Sequence, residues 1–345
     1  MQTLNERFRG CLIGGAIGDA MGWPLEFMRL DDEINRKYGP QGITNLVKGR
    51  TNLVEITDDT QMTIFTAEGI LRAENRGRNK GIVHIPSMVH RSYLRWLDTQ
   101  GVGNEVEKDG WIHSIEGLHT RRAPGNTCLD ALISGKMGTM EEPLNNSKGC
   151  GGVMRTAPIG LVYKKVEAFK LGCESAAITH GHPSGYLSAG ALSYIIAAII
   201  EGLDLETAVV QALEECEKYP SNEECSEQIE KAINLAKSDT PDIQAIESLG
   251  EGWVGEEALA ISIYCALKYQ DDFEKAVITA VNHNGDSDST GAITGNILGA
   301  YLGIIGIPQN WVREVELAVE LTQLADDLVN TYENSEEWHQ KYPGW

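Results

Sequence analysis

The sequence predicts an all-α protein, a compact orthogonal bundle in which residues 1–345 form a single domain of a dozen or more helices. Apolar residues recur at helical spacing in successive segments, whereas the alternation of polar and apolar residues that is typical of strands is sustained nowhere. No internal repeat, low-complexity tract or linker divides the chain. With 345 residues and 42% hydrophobic content, the chain is long enough to bury a sizeable core.

Charge and composition exclude several classes of protein. With 50 acidic and 29 basic residues the net charge is −21, which opposes non-specific binding to nucleic acid or to an anionic membrane. The seven cysteines form no C-x-x-C pair, as is usual for reduced intracellular thiols. The chain starts without a secretory pattern, and its longest apolar run, residues 189–200, is too short to span a bilayer. We therefore expect a cytoplasmic monomer with no nucleic-acid or membrane partner.

The first helix is expected over residues 4–22, where glycine recurs at every fourth position, and a second stripe with the same spacing runs through residues 291–303. Each glycine inside a helix costs about 1 kcal/mol of helix propensity relative to alanine. Close packing would offset that cost, so we expect both helices at the centre of the fold. The two stripes consist of Gly10, Gly14, Gly18, Gly22, Gly291, Gly295, Gly299 and Gly303.

Two carboxylates follow at the end of the first helix, in the run GDAMGWPLEF. We interpret Asp19 as a buried polar group that helps to fix the helix end. Glu26 comes after a turn and has apolar neighbours, a setting in which a lone carboxylate is costly unless it serves a site. Residues 28–56 are charged and interrupted by glycine, so they predict a mobile loop with at most one short helix.

The next helix begins with four consecutive oxygen-bearing side chains, Thr57, Asp58, Asp59 and Thr60. Acids in the first helical turn are stabilised by the helix dipole, and a single residue is enough to cap the helix. Adjacent carboxylates repel each other unless a cation or hydrogen bonds compensate. Both a cap and a metal site remain open for this quartet.

Helices are expected over residues 80–97 and 125–132, on either side of a long irregular segment, 98–125. Closely spaced glycines in residues 145–152 then precede a helix expected from Val153. Such glycines can present backbone N–H groups to an anion, although the spacing does not fit a Walker loop and a flexible turn is the alternative.

His180 and His182 flank a glycine, a pattern more typical of a turn than of a zinc site, and the apolar helix after them belongs in the core. Further helices are expected in residues 203–250, with an acidic solvated surface, and over residues 255–269, 273–281 and 311–332.

The run before the second glycine stripe contains Asp286, Asp288 and Ser289. Several hard oxygen ligands within five residues suit Mg²⁺, Mn²⁺ or Ca²⁺ far better than zinc or copper. A helix N-cap with surplus turn residues is the alternative, because Asp and Ser favour that position.

Together, GDAMGWPLEF, TDDT and GDSDSTGAITG resemble the motifs of the ADP-ribosylglycohydrolase family, in the same order and over most of the chain. The resemblance implies an all-α fold with two divalent metal ions, Mg²⁺ or Mn²⁺. It assigns one ion to Thr57, Asp58, Asp59 and Asp288, and the other to Asp286, Asp288 and Ser289. Asp288 would therefore bridge the two ions.

The same resemblance implies catalytic roles for Glu26, Asp59 and Asp288, with Glu26 on a loop that approaches the metals. It implies a diphosphate-binding loop that contains Ser147, Gly149, Cys150 and Gly151. It also implies that His180 lies near the ribose. Two positions depart from the family pattern: Asn284 stands where glycine is frequent, and Cys150 where asparagine is frequent.

The function that this resemblance implies is metal-dependent removal of ADP-ribose from a modified protein side chain. Arginine is favoured over serine as the acceptor, because a cluster of acids attracts a guanidinium group. Hydrolysis of another nucleoside or phosphorylated substrate, and a non-catalytic member that only binds ADP-ribose, are the alternatives. The segment 98–125 is expected to form the pocket wall that selects the acceptor.

Overall fold

The computed structural model describes residues 2–49, 52–103 and 105–344, and within those ranges the chain forms helices and no strand. The prediction of an all-α fold is confirmed. The first nine helices are α1 (Leu4–Gly22), α2 (Asn35–Tyr38), α3 (Asp58–Lys80), α4 (Ile85–Thr99), α5 (Gly110–His113), α6 (Asn126–Ile133), α7 (Ala157–Val162), α8 (Lys165–Ala177) and α9 (Pro183–Ile200). The others are α10 (Leu205–Cys216), α11 (Glu223–Ala236), α12 (Asp242–Leu249), α13 (Gly255–Lys268), α14 (Phe273–Val281), α15 (Ser287–Leu302), α16 (Gln309–Glu314), α17 (Ala318–Asn330) and α18 (Glu336–Lys341).

The glycine stripes meet face to face, because α1 and α15 form the closest helix pair of the core. A Cβ atom added at Gly14 would overlap the carbonyl oxygen of Gly295, and one added at Gly18 would overlap that of Gly291. The prediction of two closely packed central helices is therefore confirmed by the backbone contacts. The absence of side chains lets the two helix backbones touch, which carries the end of α1 directly to the beginning of α15.

The start of α3 lies at the same end of α1. Asp19, in the last turn of α1, is fully buried and accepts hydrogen bonds from the backbone N–H groups of Thr57, at 2.9 Å, and of Thr60, at 3.1 Å. The hydroxyl of Thr60 also donates to Asp19. These bonds satisfy N–H groups that the first turn of a helix leaves without partners. Asp19 therefore joins the end of α1 to the start of α3.

Three expected helix boundaries are wrong. The helix expected from residue 80 begins at Ile85, because Gly81 takes a left-handed conformation, φ 72°, that ends α3. The helix expected from Val153 is a short 3₁₀ turn, Cys150–Gly152, and α7 begins only at Ala157. The last expected helix is two helices, α16 and α17, which are separated at Leu317, where φ is 59°.

The apolar helix α9 lies in the core, as expected. It is long and apolar enough to cross a membrane by length and composition, yet 83% of its 18-residue window is buried inside the protein. Helices α7, α8, α10 and α13 pack around it. Burial by protein on most sides is typical of the central helix of a globular fold.

Candidate active site

A cavity opens where the ends of α1, α3 and α15 meet. It has a volume of about 220 Å³, below the roughly 300–1,000 Å³ of pockets that enclose a whole drug-sized ligand. A ring-sized part of a ligand fits inside, and the rest of a larger ligand must lie in the mouth. Five carboxylate residues line it, Glu26, Asp58, Asp59, Asp286 and Asp288, and Ser289 and Thr127 add hydroxyl groups.

Three of these carboxylates come from two distant parts of the sequence and lie close enough together to bind one metal ion. Oxygen atoms of Glu26, Asp286 and Asp288 all lie within 4.8 Å of each other. The sequence-based assignment gave Glu26 a catalytic role without a metal contact, whereas its oxygen is as close to the two aspartates as a shared ligand would be. Asp58 stands beside them, where its Oδ2 accepts the backbone N–H of Gly125 at 3.3 Å.

Burial and mutual repulsion oppose ionisation of this cluster. Burial raises the pKa of Asp58 to about 8, and burial together with the charges of Asp286 and Asp58 raises the pKa of Glu26 to about 9. The pKa values of Asp59 and Asp288 are also raised well above the ordinary aspartate range, mainly by burial. Among the described residues that line the cavity, none is a lysine or arginine that could offset these charges.

The cluster fits a divalent cation. Oδ2 of Asp59 and Oε2 of Glu26 are buried and have no hydrogen-bond partner within the described parts of the chain. Buried carboxylate oxygens without donors are costly, and hard oxygen ligands without nearby cationic side chains are the donor set that Mg²⁺ and Mn²⁺ prefer. The acidic cluster therefore has the composition and burial of a metal site.

Cys150 enters this site from the side. Its thiol donates to Oδ2 of Asp286 at 2.6 Å, and the hydroxyl of Ser289 lies 3.7 Å from the sulfur. The backbone N–H of Ser289 caps the helix start by donating to Oδ1 of Asp286 at 3.2 Å. Asp286 is thus the N-cap of α15, and it also lines the cavity. A cap role for this residue is therefore compatible with a position in the site.

The segment that carries Glu26 is tied across the mouth rather than loose. The ring of Phe27 stacks on that of Trp253, with centroids 5.9 Å apart and planes inclined by 20°. Arg29 forms an ion pair with Glu251 at 2.9 Å. The side-chain oxygen of Asn284 accepts the backbone N–H of Leu30 at 2.8 Å, so this departure from the family pattern anchors the segment instead of lining the cavity.

The glycine-rich loop and His180 form another wall. The His180 ring is buried beneath the loop, where a Cβ atom added at Gly151 would lie 3.1 Å from the ring and 3.0 Å from the sulfur of Cys128. Burial and the nearby Arg155 charge lower the pKa of His180 to about 3, so its imidazole is neutral at physiological pH. Its Nδ1 lies 2.8 Å from the hydroxyl of Thr179, which leaves Nε2 for the cavity.

Two of the residues expected at the site do not line the cavity. Thr57 is fully buried, and its hydroxyl accepts the N–H of Asp59 at 3.3 Å as the cap of α3. Ser147 stands behind the lining residue Thr127, with their hydroxyls 3.3 Å apart, and accepts the N–H of Gly149. Both hydroxyls are used by the backbone next to them.

Sequence reasoning missed several lining residues, namely Ala123, Gly125, Asn126, Thr127, Cys128, Met154 and Trp253. The segment 98–125 was expected to form a pocket wall, and its last residues do so. The signal for the rest was weak, because a helix start such as GNTCLDAL has no feature that distinguishes a site from a turn. Trp253 is brought in by the contact of its loop with Cys150, whose N–H donates to the Trp253 carbonyl.

The fold and this cavity together define an all-α protein with an acidic cluster, of a composition that could hold a metal ion, at the junction of its central helices. The family follows from comparison with known proteins. The chain belongs to the ADP-ribosylglycohydrolase family, whose model matches residues 1–337. The resemblance inferred from the three motifs is confirmed.

Curated relatives match over nearly the whole chain. ADP-ribosylhydrolase ARH3 of Mus musculus is 25% identical, with 96% of this chain and 93% of that protein covered. ADP-ribosyl-[dinitrogen reductase] glycohydrolase of Rhodospirillum rubrum is 25% identical, with 92% and 93% covered. ADP-ribosylarginine hydrolase Tri1 of Pseudomonas putida is also 25% identical, with 94% and 78% covered.

A solved structure supports the fold. The ADP-ribosylglycohydrolase-related protein complex matches with a TM-score of 0.65, at 23% identity, and the match covers 96% of this chain and 99% of that chain.

Proposed function

We propose that this protein is a divalent-metal-dependent hydrolase that removes ADP-ribose from modified protein side chains, with two Mg²⁺ or Mn²⁺ ions per chain. The observation that carries the proposal is the convergence of four buried carboxylates and the half-buried Glu26 in a cavity whose described lining includes no lysine or arginine. The cluster adjoins a glycine-rich loop and a neutral histidine, as a ribose with an attached diphosphate requires. Family membership supports the ADP-ribosyl group as the substrate.

In this proposal Asp58, Asp59 and Asp288 hold one ion, and Asp286, Asp288 and Ser289 hold the other. The ions, when bound, polarise ribose hydroxyls and water and neutralise charge as the glycosidic bond breaks. Thr57 contributes as a ligand only if its hydroxyl leaves the N–H of Asp59, so it is the weakest member of the proposed set.

The remaining steps fall to the side chains of this chain. Gly149 and Gly151 allow the diphosphate to approach the loop backbone, since a side chain at Gly151 would touch the His180 ring. His180, uncharged, accepts or donates a single hydrogen bond to the ribose through Nε2. Cations bound beside Glu26 would favour its ionised form, in which it orients the attacking water at the rim and accepts its proton.

We infer that arginine is the favoured acceptor. A guanidinium group carries its charge into a cavity lined by Glu26, Asp58 and Asp286, where it pairs with carboxylates better than a neutral serine oxygen does. The relative from Pseudomonas putida, named as an ADP-ribosylarginine hydrolase, supports the same choice.

Release of ADP-ribose from arginine-modified and serine-modified peptides, at one Mg²⁺ concentration, tests the proposal. Faster release from the arginine-linked peptide is expected. EDTA should stop the reaction and Mg²⁺ or Mn²⁺ should restore it. Faster release from the serine-linked peptide would overturn the linkage alone, and activity that survives exhaustive chelation would indicate a carboxylate-only glycosidase. Binding of ADP-ribose without any release would indicate a non-catalytic member of the family.

A further inference from the structure

A larger concavity, which we call the basic groove, adjoins the cavity of the active site. Its volume is about 920 Å³, compared with about 220 Å³ for the cavity, and Ala123 lines both. Trp23 and Pro24 line the groove, while Glu26, in the same turn, lines the cavity. The groove therefore begins at the rim of the carboxylate cluster.

The groove carries positive charge in a chain whose net charge is −21. Lys37, Lys48 and Arg121 line it and are exposed to solvent, whereas Glu55 is the carboxylate among its described lining residues. Arg122 also lines the groove, but its guanidinium is buried and forms an ion pair with Glu316, in the loop after α16. Three exposed cations against one acid in a concave surface attract an anionic ligand.

The groove also has the surface composition of a protein-binding site. The ring of Tyr38 lies beneath the ammonium group of Lys37, 4.8 Å from ring centroid to nitrogen, and Trp23 forms part of the wall beside Pro24. Aromatic residues and arginine are enriched at surfaces where polypeptides bind, and the groove has Tyr38, Trp23 and Arg121. A volume of about 920 Å³ has room for several residues of a chain.

The groove lies on the side of the cavity where the acceptor side chain of the substrate is expected to leave. The proposed function puts the diphosphate at the glycine-rich loop and the reacting ribose at the carboxylates. The acceptor side chain and its polypeptide must then leave the cavity at another point of its mouth. The described lining of the groove contains no residue of the loop 147–151, and it meets the cavity at Ala123, next to the cluster.

We propose that the basic groove binds the polypeptide that carries the ADP-ribose, through acidic residues close to the modified side chain. This inference rests on the proposed function and adds a substrate class to it: modified proteins whose acceptor is flanked by Asp or Glu. Cations in the groove offset the repulsion that a chain of net charge −21 exerts on an acidic partner.

Two arginine-modified peptides that differ only in their flanking residues, Asp/Glu in one and Ser/Gln in the other, test this inference. At low ionic strength the wild-type protein should hydrolyse the acid-flanked peptide with a kcat/KM at least about threefold higher, since exposed charge pairs each contribute modestly. The preference should decline in about 0.5 M salt, where such pairs are screened. The double variant Lys48→Glu/Arg121→Glu should abolish or reverse it.

A matched double variant, Lys136→Glu/Lys170→Glu, changes the net charge equally at exposed positions that line neither the groove nor the cavity, and it should keep the wild-type preference. The kcat/KM for the Ser/Gln-flanked peptide reports whether each variant is folded and active. Binding of the unmodified, fluorescently labelled peptides, followed by anisotropy, needs no turnover, and should show the same order of affinities.

The two proposals fail in different ways. Absence of any release from both arginine-linked and serine-linked ADP-ribose would reject the proposed function, while the anisotropy comparison still decides the groove. Release from ADP-ribosyl-arginine combined with equal kcat/KM and equal affinity for the two peptides would overturn the groove inference alone. Stronger displacement of the labelled acidic peptide by a single-stranded oligonucleotide than by an unlabelled peptide of equal charge would overturn it in favour of a nucleic-acid site.

Discussion

Asp19 and Asp59 are both buried carboxylates at the junction of α1, α3 and α15, and their surroundings are opposite. The oxygens of Asp19 accept backbone and hydroxyl hydrogen bonds from Thr57 and Thr60, whereas Oδ2 of Asp59 accepts none from the described residues. Burial raises the pKa of Asp19 to about 6 against the opposing effect of these bonds, and raises that of Asp59 well above its ordinary range. The first carboxylate stabilises the fold, and the second is left for a ligand.

The same contrast separates the two halves of the central helix pair. Along the glycine stripes the backbones of α1 and α15 fill the space between them, since a Cβ atom added at any stripe glycine except Gly303 would overlap a backbone atom. At the ends of the same helices the chain keeps an open cavity with unpaired carboxylate oxygens. Close packing along α1 and α15 thus holds in place a site, at the ends of the two helices, in which carboxylate oxygens lack hydrogen-bond donors.

The largest effect is expected where the unsatisfied cluster reaches the mouth. Glu26→Gln keeps the shape of the side chain and removes its charge, so release of ADP-ribose should fall by about a hundredfold or more. Thermal stability should change little. Glu33→Gln, an exposed change on the same segment, is the matched control and should retain activity. Calorimetric titration with Mn²⁺ separates the two roles of Glu26: loss of an ion would identify a ligand, and full activity would leave only a structural role.

A large loss of stability is expected in the close-packed half. Gly295→Ala puts a Cβ atom onto the carbonyl oxygen of Gly14, so the helices must separate, at a cost on the order of 1–3 kcal/mol or more. Gly77→Ala is the matched control, because a Cβ atom there lies 3.4 Å from Val83 and should gain about 1 kcal/mol of helix propensity. Urea denaturation of both variants should give shifts of opposite sign. A wild-type midpoint for Gly295→Ala would remove the argument from glycine spacing.

The direct test of the comparison is the same substitution at both carboxylates. Asp19→Asn leaves backbone N–H groups facing an amide, which should destabilise the chelated protein by about 1–3 kcal/mol and leave Mn²⁺ binding intact. Asp59→Asn removes a buried carboxyl group that must take up a proton when the metal-free chain folds at pH 8, so it should stabilise the chelated protein and weaken Mn²⁺ binding. Chemical denaturation in EDTA at pH 8, with Mn²⁺ titration, measures both. Equal destabilisation by the two changes would contradict the distinction drawn here.

The smallest effect concerns pH. Since the pKa of Asp58 is raised to about 8 and those of Asp59 and Asp288 are raised well above the ordinary range, the folded metal-free protein favours their neutral forms. The contribution of these three groups to stability is then highest below about pH 4, near the unfolded pKa, and is lost as pH rises towards 8.

The melting temperature of the chelated protein should therefore fall by at least about 2–4 °C between pH 5.5 and pH 8, in addition to any change caused by the overall charge. Asp59→Asn should show a smaller decline, and that difference isolates the cluster from the rest of the chain. Saturating Mg²⁺ at constant ionic strength should flatten the wild-type curve. An identical decline in the wild type and the variant would mean that the cluster does not set the pH dependence.

By itself the sequence determined the fold class and most of the site. Local sequence was enough to predict α1 from its glycine spacing and α9 from its apolar run. The glycine stripes also indicated a close contact, because only close packing compensates their helix cost. Dense runs of acids, which are costly without a counter-charge, indicated the site at the starts of α3 and α15. Helix breaks at Gly81 and Leu317 were missed because each depends on a backbone conformation that the local pattern does not reveal.

Only the tertiary structure decided which polar groups are satisfied. The sequence suggested a structural role for Asp19, but the donors that satisfy its carboxylate, in Thr57 and Thr60, belong to another helix. Likewise, the sequence pattern did not predict that Phe27 stacks on Trp253. Nor did it predict that the hydroxyl of Thr57 caps α3 instead of lining the cavity. A carboxylate binds a ligand or stabilises a fold according to the donors around it, and long-range packing brings those donors together.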